Sequence, residues 1–326
     1  MESHEQLFAS PDVESAIDRS PLVVSPDTSL IKAIALMGQV RGINCRIETD
    51  IETDKDSEYQ LDTNRRSSCA LVMKGDELQG ILTERDIVRF TAEKLAFDSV
   101  NVRDVMTRSV VTLAKSNLKD IFAALFLFRR YRVRHLPIVD ETNKLIGIMT
   151  PESIRLAMRP ANLLKIRRVG DVMSKNVIHA PMTDTVLEVA QLMAKHRVSC
   201  IVITEADEED NILIPVGIIT ERDILQFQSL EANLDNLKAE EVMSSPLCLM
   251  SPEDSLLAAN QEMQRRRVRR LVVSWNWGKG LGIVTQTSML RIFDPMEMYG
   301  VIETLQSTIR QLEQKAELLK LVNKNE

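Results

Sequence analysis

Aromatic side chains are scarce in this chain of 326 residues, at 4%, which leaves little material on which nucleic-acid bases could stack. Cysteine is rarer still. Cys45, Cys69, Cys200 and Cys248 lie far apart with no CxxC pair, which excludes the common zinc patterns and reads as reduced, cytosolic thiols. The four histidines show no ligand spacing, so no metal site is expected. Long apolar runs are missing too. The longest, "IFAALFLF" (121–128), is far too short to span a bilayer. The opening "MESHEQLFAS" has no basic segment followed by an apolar stretch, so no secretory leader is expected. A net charge of −6 gives no global argument for nucleic acid or an anionic membrane. A soluble cytoplasmic protein is the expectation.

What is present is repetition. "GILTERDIVRF" (80–90) returns as "GIITERDILQF" (217–227), 137 positions later when counted from Asp86 to Asp223. These phrases sit in four aligned segments. The second begins "VRDVMTRSVVTL" at 102, the third "VGDVMSKNVIHA" at 169 and the fourth "AEEVMSSPLCLM" at 239. The first lacks the D-V-M phrase but has "SPLVVSPDTSLIKAIALM" (20–37) and then "CALVMKGDELQGILTERDIVRF" (69–90). In each, a short β-rich piece leads to an amphipathic helix, two apolar strands follow, and a Thr opens a second helix. The fold class is therefore α+β, built from four β-α-β-β-α units. One unit is small for burying both faces of its sheet, so pairs should share a core.

Three marks recur: D-V-M before the first strand, apolar-Pro-apolar-apolar-Asp in the second, and Gly-apolar-apolar-Thr at the last helix. On these marks the chain resembles the CBS-domain family over nearly all of residues 15–295. The resemblance implies that repeats pair head to tail as Bateman modules, whose cleft often binds an adenosine-containing ligand. It divides the chain into a tail (1–14), a first module (15–160), a second module (165–295) and a C-terminal helix (296–326).

The Thr-x-x-Asp phrase has a plain reading and a functional one. Thr at a helix N-cap with an acidic residue three positions later resembles a capping box. All four repeats keep the Thr, as Thr83, Thr150, Thr220 and Thr285, and Pro151 takes the favoured first helical position. Capping explains the Asp less well, because Ser153 and Ser288 replace it in the second and fourth repeats. The family resemblance implies ribose recognition by Thr83 with Asp86 and by Thr220 with Asp223.

A second pattern stands without the family. At the start of the second strand the even repeats carry cations, Arg134 with His135 and Arg269 with Arg270. The odd repeats have Ser68 with Cys69 and Ser199 with Cys200 there. Odd repeats thus hold the carboxylate and even repeats the cations, so each pair would carry one complete constellation, with the cations meeting phosphate oxygens. The competing reading places cations at helix ends, opposing the helix dipole, and it suits Arg129, Arg130, Arg265, Arg266 and Arg267. The single glycines before each Thr form no phosphate-cradling loop. By resemblance, adenine lies against Val24 in the first repeat and Ile178 and His179 in the third.

Two segments stand apart. The acidic stretch 42–66 interrupts the first repeat; read from Asp54 as a calcium loop it has Tyr59 where Gly belongs and Arg65 where Glu belongs. A surface loop is expected. Near the C-terminus, Ile302, Leu305, Ile309, Leu312, Ala316 and Leu319 form a heptad seam, which reads as a parallel two-stranded coil or as one helix folded back on the sheets. Such helices resemble linkers from CBS arrays to output domains of bacterial signalling proteins.

The leading expectation is a regulatory sensor of AMP, ADP or ATP, with or without magnesium. It would act as a homodimer through its modules and residues 302–319, toward an output domain or partner. The alternative is a ligand-independent dimeric scaffold. No activated nucleophile or acid/base pair argues for an enzyme.

Overall fold

The computed structural model describes residues 13–39, 68–158, 164, 167–206, 213–276 and 280–293. The acidic stretch 42–66 and the heptad seam 302–319 lie outside the described residues.

The first repeat comprises β1 (Val23–Val24), α1 (Leu30–Gln39), β2 (Cys69–Lys74), β3 (Glu77–Thr83) and α2 (Glu84–Ala92). The second has β4 (Leu113–Ala114), α3 (Ile121–Tyr131), β5 (Leu136–Val139), β6 (Leu145–Met149) and α4 (Pro151–Met158). The third follows with β7 (His179–Pro181), α5 (Val186–His196), β8 (Cys200–Ala206), β9 (Leu213–Thr220) and α6 (Glu221–Ser229). The fourth closes with β10 (Leu249–Met250), α7 (Leu256–Arg265), β11 (Arg270–Trp275), β12 (Gly280–Thr285) and α8 (Gln286–Met289). Each repeat makes its own three-stranded sheet, the first strand parallel to the second and the second antiparallel to the third. The β-α-β-β-α plan read from the sequence is the plan observed.

The period of two along each strand decides what each sheet faces. In β2, Ala70 and Val72 turn toward α1 and α2, in a core with Leu30, Ile34 and Phe90. Cys69 and Leu71 turn the other way and meet Ile148 of the second repeat. The second half repeats this: Ile201 and Ile203 face α5 and α6, while Cys200 and Val202 meet Val272 and Ile283 of the fourth repeat. Sheets thus join the first repeat to the second and the third to the fourth.

The leading segments cross between these partners. Thr107 bridges Ile81 on the free edge of β3, and Asp18 bridges Ile148 on β6. Ser244 and Ser174 make the same crossings to Ile218 and Ile283. The glycine before each Thr belongs to this crossing rather than to a ligand. A Cβ on Gly147 would lie 2.5 Å from the Asp18 carbonyl oxygen, and one on Gly80 would lie 2.6 Å from the Met106 sulfur.

Helices join the halves in the other direction. Val88 of α2 is buried in the core of the third repeat, and Leu225 of α6 is buried in that of the first. One core holds Ile121, Phe128 and Ile154 of the second repeat with Leu256, Met263 and Met289 of the fourth. Polar contacts fix the register of these faces: Gln228 Nε2 donates to Thr91 Oγ1 at 3.1 Å, and Arg155 to Asn260 Oδ1 at 2.7 Å. The four repeats therefore close on one another within a single chain. The helix faces through which the halves meet are covered by the chain itself. Among the described residues no helix is long and apolar enough to cross a membrane.

Candidate functional site

The helix that follows each third strand begins where the repeats converge. Thr83 caps α2, and both its backbone N–H and its hydroxyl donate to Asp86 Oδ2, at 2.9 and 2.7 Å. Thr220 N–H donates to Asp223 Oδ2 at 2.7 Å. In the even repeats Ser153 and Ser288 take over, accepting from the Thr150 and Thr285 N–H groups at 2.9 and 2.8 Å. Capping therefore operates in all four repeats and uses one carboxylate oxygen of each Asp. The second oxygen of Asp86 receives only a long contact from Arg89, at 3.5 Å.

The four cations at the strand starts do come together. Arg134, His135, Arg269 and Arg270 line one cavity of about 230 Å3, together with Arg85 and Glu152. Thr150 and Thr285 also line it, whereas Asp86 and Asp223 do not. The cations of both pairs thus share one chamber, and the two carboxylates expected to complete the constellations stand outside its wall. Arg85 connects the regions, since it lines the chamber and immediately precedes Asp86 on α2. The chamber is smaller than the roughly 300–1,000 Å3 of a whole small-molecule site, so it suits the charged end of a ligand.

The cations are not left bare. Arg134 donates to Glu221 Oε2 at 2.6 Å, and Arg85 reaches Glu221 Oε1 at 3.3 Å. Arg269 donates to Glu84 Oε2 at 3.1 Å, and Arg222 stands 3.8 Å from Glu84 Oε1. The side chains of Glu221 and Glu84 are only 1% and 3% exposed. These are the Glu and Arg of the two Thr-Glu-Arg-Asp phrases, which the sequence reading had left without a role. Each glutamate belongs to one half of the chain and holds an arginine of the other half. The signal was in the sequence: capping needs neither residue, yet both recur.

His135 Nε2 lies 2.7 Å from Ser68 Oγ, and Arg270 hydrogen-bonds the Ser199 carbonyl, so each cation-bearing strand start is tied to the serine at the matching place in its partner repeat. Burial works to raise the Glu221 carboxyl, but the Arg134 and Arg85 charges outweigh it and hold the group below its ordinary value. Burial and the neighbouring Arg270 and Arg134 push Arg269 down to about 10; burial, Arg269 and Arg270 push Arg222 down to about 9. Five arginines (Arg85, Arg134, Arg222, Arg269, Arg270) thus meet three glutamates (Glu84, Glu152, Glu221), and positive charge is in excess.

Val24, Ile178 and His179 are placed elsewhere. Val24 is 5% exposed and packs in the core of its own repeat. It sits on the edge strand β1, with β2 between it and the β3 strand that ends in Thr83. Ile178 and His179 stand in the same relation to Thr220, on and beside β7 with β8 intervening. The segment that runs beside Thr83 is the lead of the second repeat, at Thr107. This crossing of leads between repeats is a tertiary feature that no single repeat displays in its sequence. Among the described residues no group of three or more His, Cys, Asp or Glu could hold a metal ion.

The CBS domain family model matches residues 102–160, 169–229 and 239–294. The chain belongs to the CBS domain family. The first repeat falls outside those matches but has the same sheet and the same T-E-R-D helix start as the third. Among curated proteins, an uncharacterised protein of Methanopyrus kandleri is 33% identical over 125 residues, 38% of this chain and 61% of its own length. An L-aspartate semialdehyde sulfurtransferase of Methanocaldococcus jannaschii is 28% identical over 208 residues, 63% of this chain and 38% of its own length. The chain thus spans less than two thirds of these relatives. Among solved structures, protein MJ1225 of M. jannaschii, described as a candidate archaeal homolog of g-AMPK, superposes with a TM-score of 0.66 at 22% identity. It covers 87% of this chain and 99% of its own.

Proposed function

We propose that this chain is a regulatory adenine-nucleotide sensor. Its repeats work as two modules, residues 15–160 and 165–295, each taking one AMP, ADP or ATP. The observation that carries this reading is the convergence of Arg134, His135, Arg269 and Arg270 on one chamber with more arginine than glutamate around it. A cluster of partly buried like charges repels itself until an anion joins it, and arginine is the side chain best shaped for phosphate. The nucleoside would lie outward, its ribose hydroxyls on Asp86 and Asp223, whose second oxygens are not consumed by strong caps. The lead segment at Thr107 runs beside the β3 strand that ends in Thr83, so it is nearer to a base placed there than Val24 is.

The chain's role is regulatory rather than catalytic. A ligand bridging two repeats can shift their packing only through different affinity for two arrangements. Residues 302–319 would carry that shift to an output or partner. The test is thermal unfolding of the full chain with AMP, ADP and ATP, beside the Asp86→Ala, Asp223→Ala double variant. A rise in Tm for the parent that the double variant loses supports the sensor. An unchanged parent Tm with all three nucleotides returns the chain to the scaffold reading.

A further inference from the structure

The chamber raises a question that the nucleotide reading does not answer. Its phosphate-facing arginines are already held, and by glutamates from the wrong half of the chain. Arg134 belongs to the first pair of repeats, but its 2.6 Å partner Glu221 belongs to the second. Arg269 belongs to the second pair, and its 3.1 Å partner Glu84 belongs to the first. Both glutamates are buried, so neither can turn to water when its arginine leaves. Arg85 remains beside Glu221 and Arg222 beside Glu84, which gives each carboxylate a second cation at 3.3 and 3.8 Å. The lattice is therefore built to let one arginine go without stranding a bare buried charge, a step that otherwise costs several kcal/mol.

We propose that Glu84 and Glu221 are gates that determine which ligands bind and that link the two modules. A ligand in one module must take its arginine away from a glutamate of the other. Neutral nucleosides cannot compete with a carboxylate for Arg134 or Arg269, whereas a phosphate monoester, at about −1.5 to −2, can. One such phosphate also uses up most of the positive excess of the chamber. The second phosphate then enters a field made less favourable by the first, so the two modules fill with unequal affinity although their T-E-R-D phrases are identical. This inference rests on the nucleotide reading and adds the selection and the coupling.

The glutamates contact arginines and not the ligand, so they act as positioning residues, and the sign of their effect is the diagnostic. Removing a merely structural group weakens binding; removing a gate strengthens it. The experiment is calorimetric titration of the full chain with AMP, comparing the parent with Glu221→Gln and Glu84→Gln. Glutamine keeps the shape and removes the charge. Each variant is expected to tighten one of the two binding steps about tenfold, or about 1.4 kcal/mol, and adenosine, silent on the parent, should gain measurable binding. If Glu221→Gln does not fold, Glu221→Asp withdraws the carboxylate by one methylene and should give a smaller gain of the same sign. A parent that binds AMP beside variants that bind it equally or more weakly overturns the gate and leaves the nucleotide reading intact. A parent that gives no heat with AMP overturns both.

Discussion

Arg134 and Glu221 lie 87 residues apart in sequence and 2.6 Å apart in space, joining the second repeat to the third through a carboxylate that is 1% exposed. Arg269 and Glu84 repeat the relationship on the other side, so the centre of the molecule is an ionic lattice shared by both halves. Buried pairs of this kind are weak sources of net stability, because desolvation offsets most of their attraction, yet breaking one from a single side is costly. That asymmetry yields the first prediction. Arg134→Met should destabilise the chain by about 3 kcal/mol, the low end for a buried pair, because Arg85 still serves Glu221. The Arg134→Met, Glu221→Met double variant should recover most of the loss. Denaturant unfolding of the two variants measures both values; a double variant no more stable than the single would contradict the pairing.

The same carboxylate gives a pH dependence. Against its burial, Glu221 is held below its ordinary value in the folded chain by the Arg134 and Arg85 charges, so it is a depressed acid. Its stabilisation is complete above the unfolded value and is lost as pH falls through the folded one. Parent Tm should therefore fall more steeply than that of Glu221→Gln as pH is lowered from about 5 toward 3. Parallel slopes would mean that Glu221 is not held in this way.

Asp86 separates capping from binding. Asp86→Ala removes the acceptor of Thr83 N–H and should cost only about 0.3–1.5 kcal/mol of stability. If Asp86 also grips a ribose, the same change should weaken nucleotide binding in the first module about 10–100-fold, from the 1.5–3 kcal/mol of a charged hydrogen bond. Asp223→Ala should do the same in the second. Affinities unchanged in both would leave these residues as caps alone.

Gly147 tests the crossing of leads. An added methyl would sit 2.5 Å from the Asp18 carbonyl oxygen and 2.7 Å from Ile17 Cγ2, and the backbone oxygen is itself hydrogen-bonded to Ile148 N–H at 2.8 Å. Gly147→Ala should therefore cost about 1–3 kcal/mol. Gly75, with nothing near its Cβ direction but a φ of +60°, should lose stability through backbone strain instead. A Gly147→Ala variant as stable as the parent in denaturant would show that the lead of the first repeat does not lie on β6.

The repeats were legible because their information is local. The short apolar runs in Cys69–Lys74 and Leu136–Val139, a polar cap before the later helices and the Thr at each third strand all sit within a few residues of what they specify. The cations at the strand starts were legible for the same reason, as a substitution pattern between odd and even repeats. Glu84 and Glu221 were not. Their partners are 185 and 87 residues away, and only the packing of Val88 into the third repeat and Leu225 into the first brings them close. The neighbour of Thr83 was hidden for a related cause: Val24 shares a repeat with Asp86, but the lead that reaches β3 comes from the next repeat.

The most direct test of the central reading is calorimetric titration of the full chain with AMP and then ATP, counting sites. Two nucleotides per chain, one for each pair of repeats, are predicted. No heat and no thermal shift with AMP, ADP or ATP would contradict the sensor and leave the arginine chamber as a structural joint between the halves.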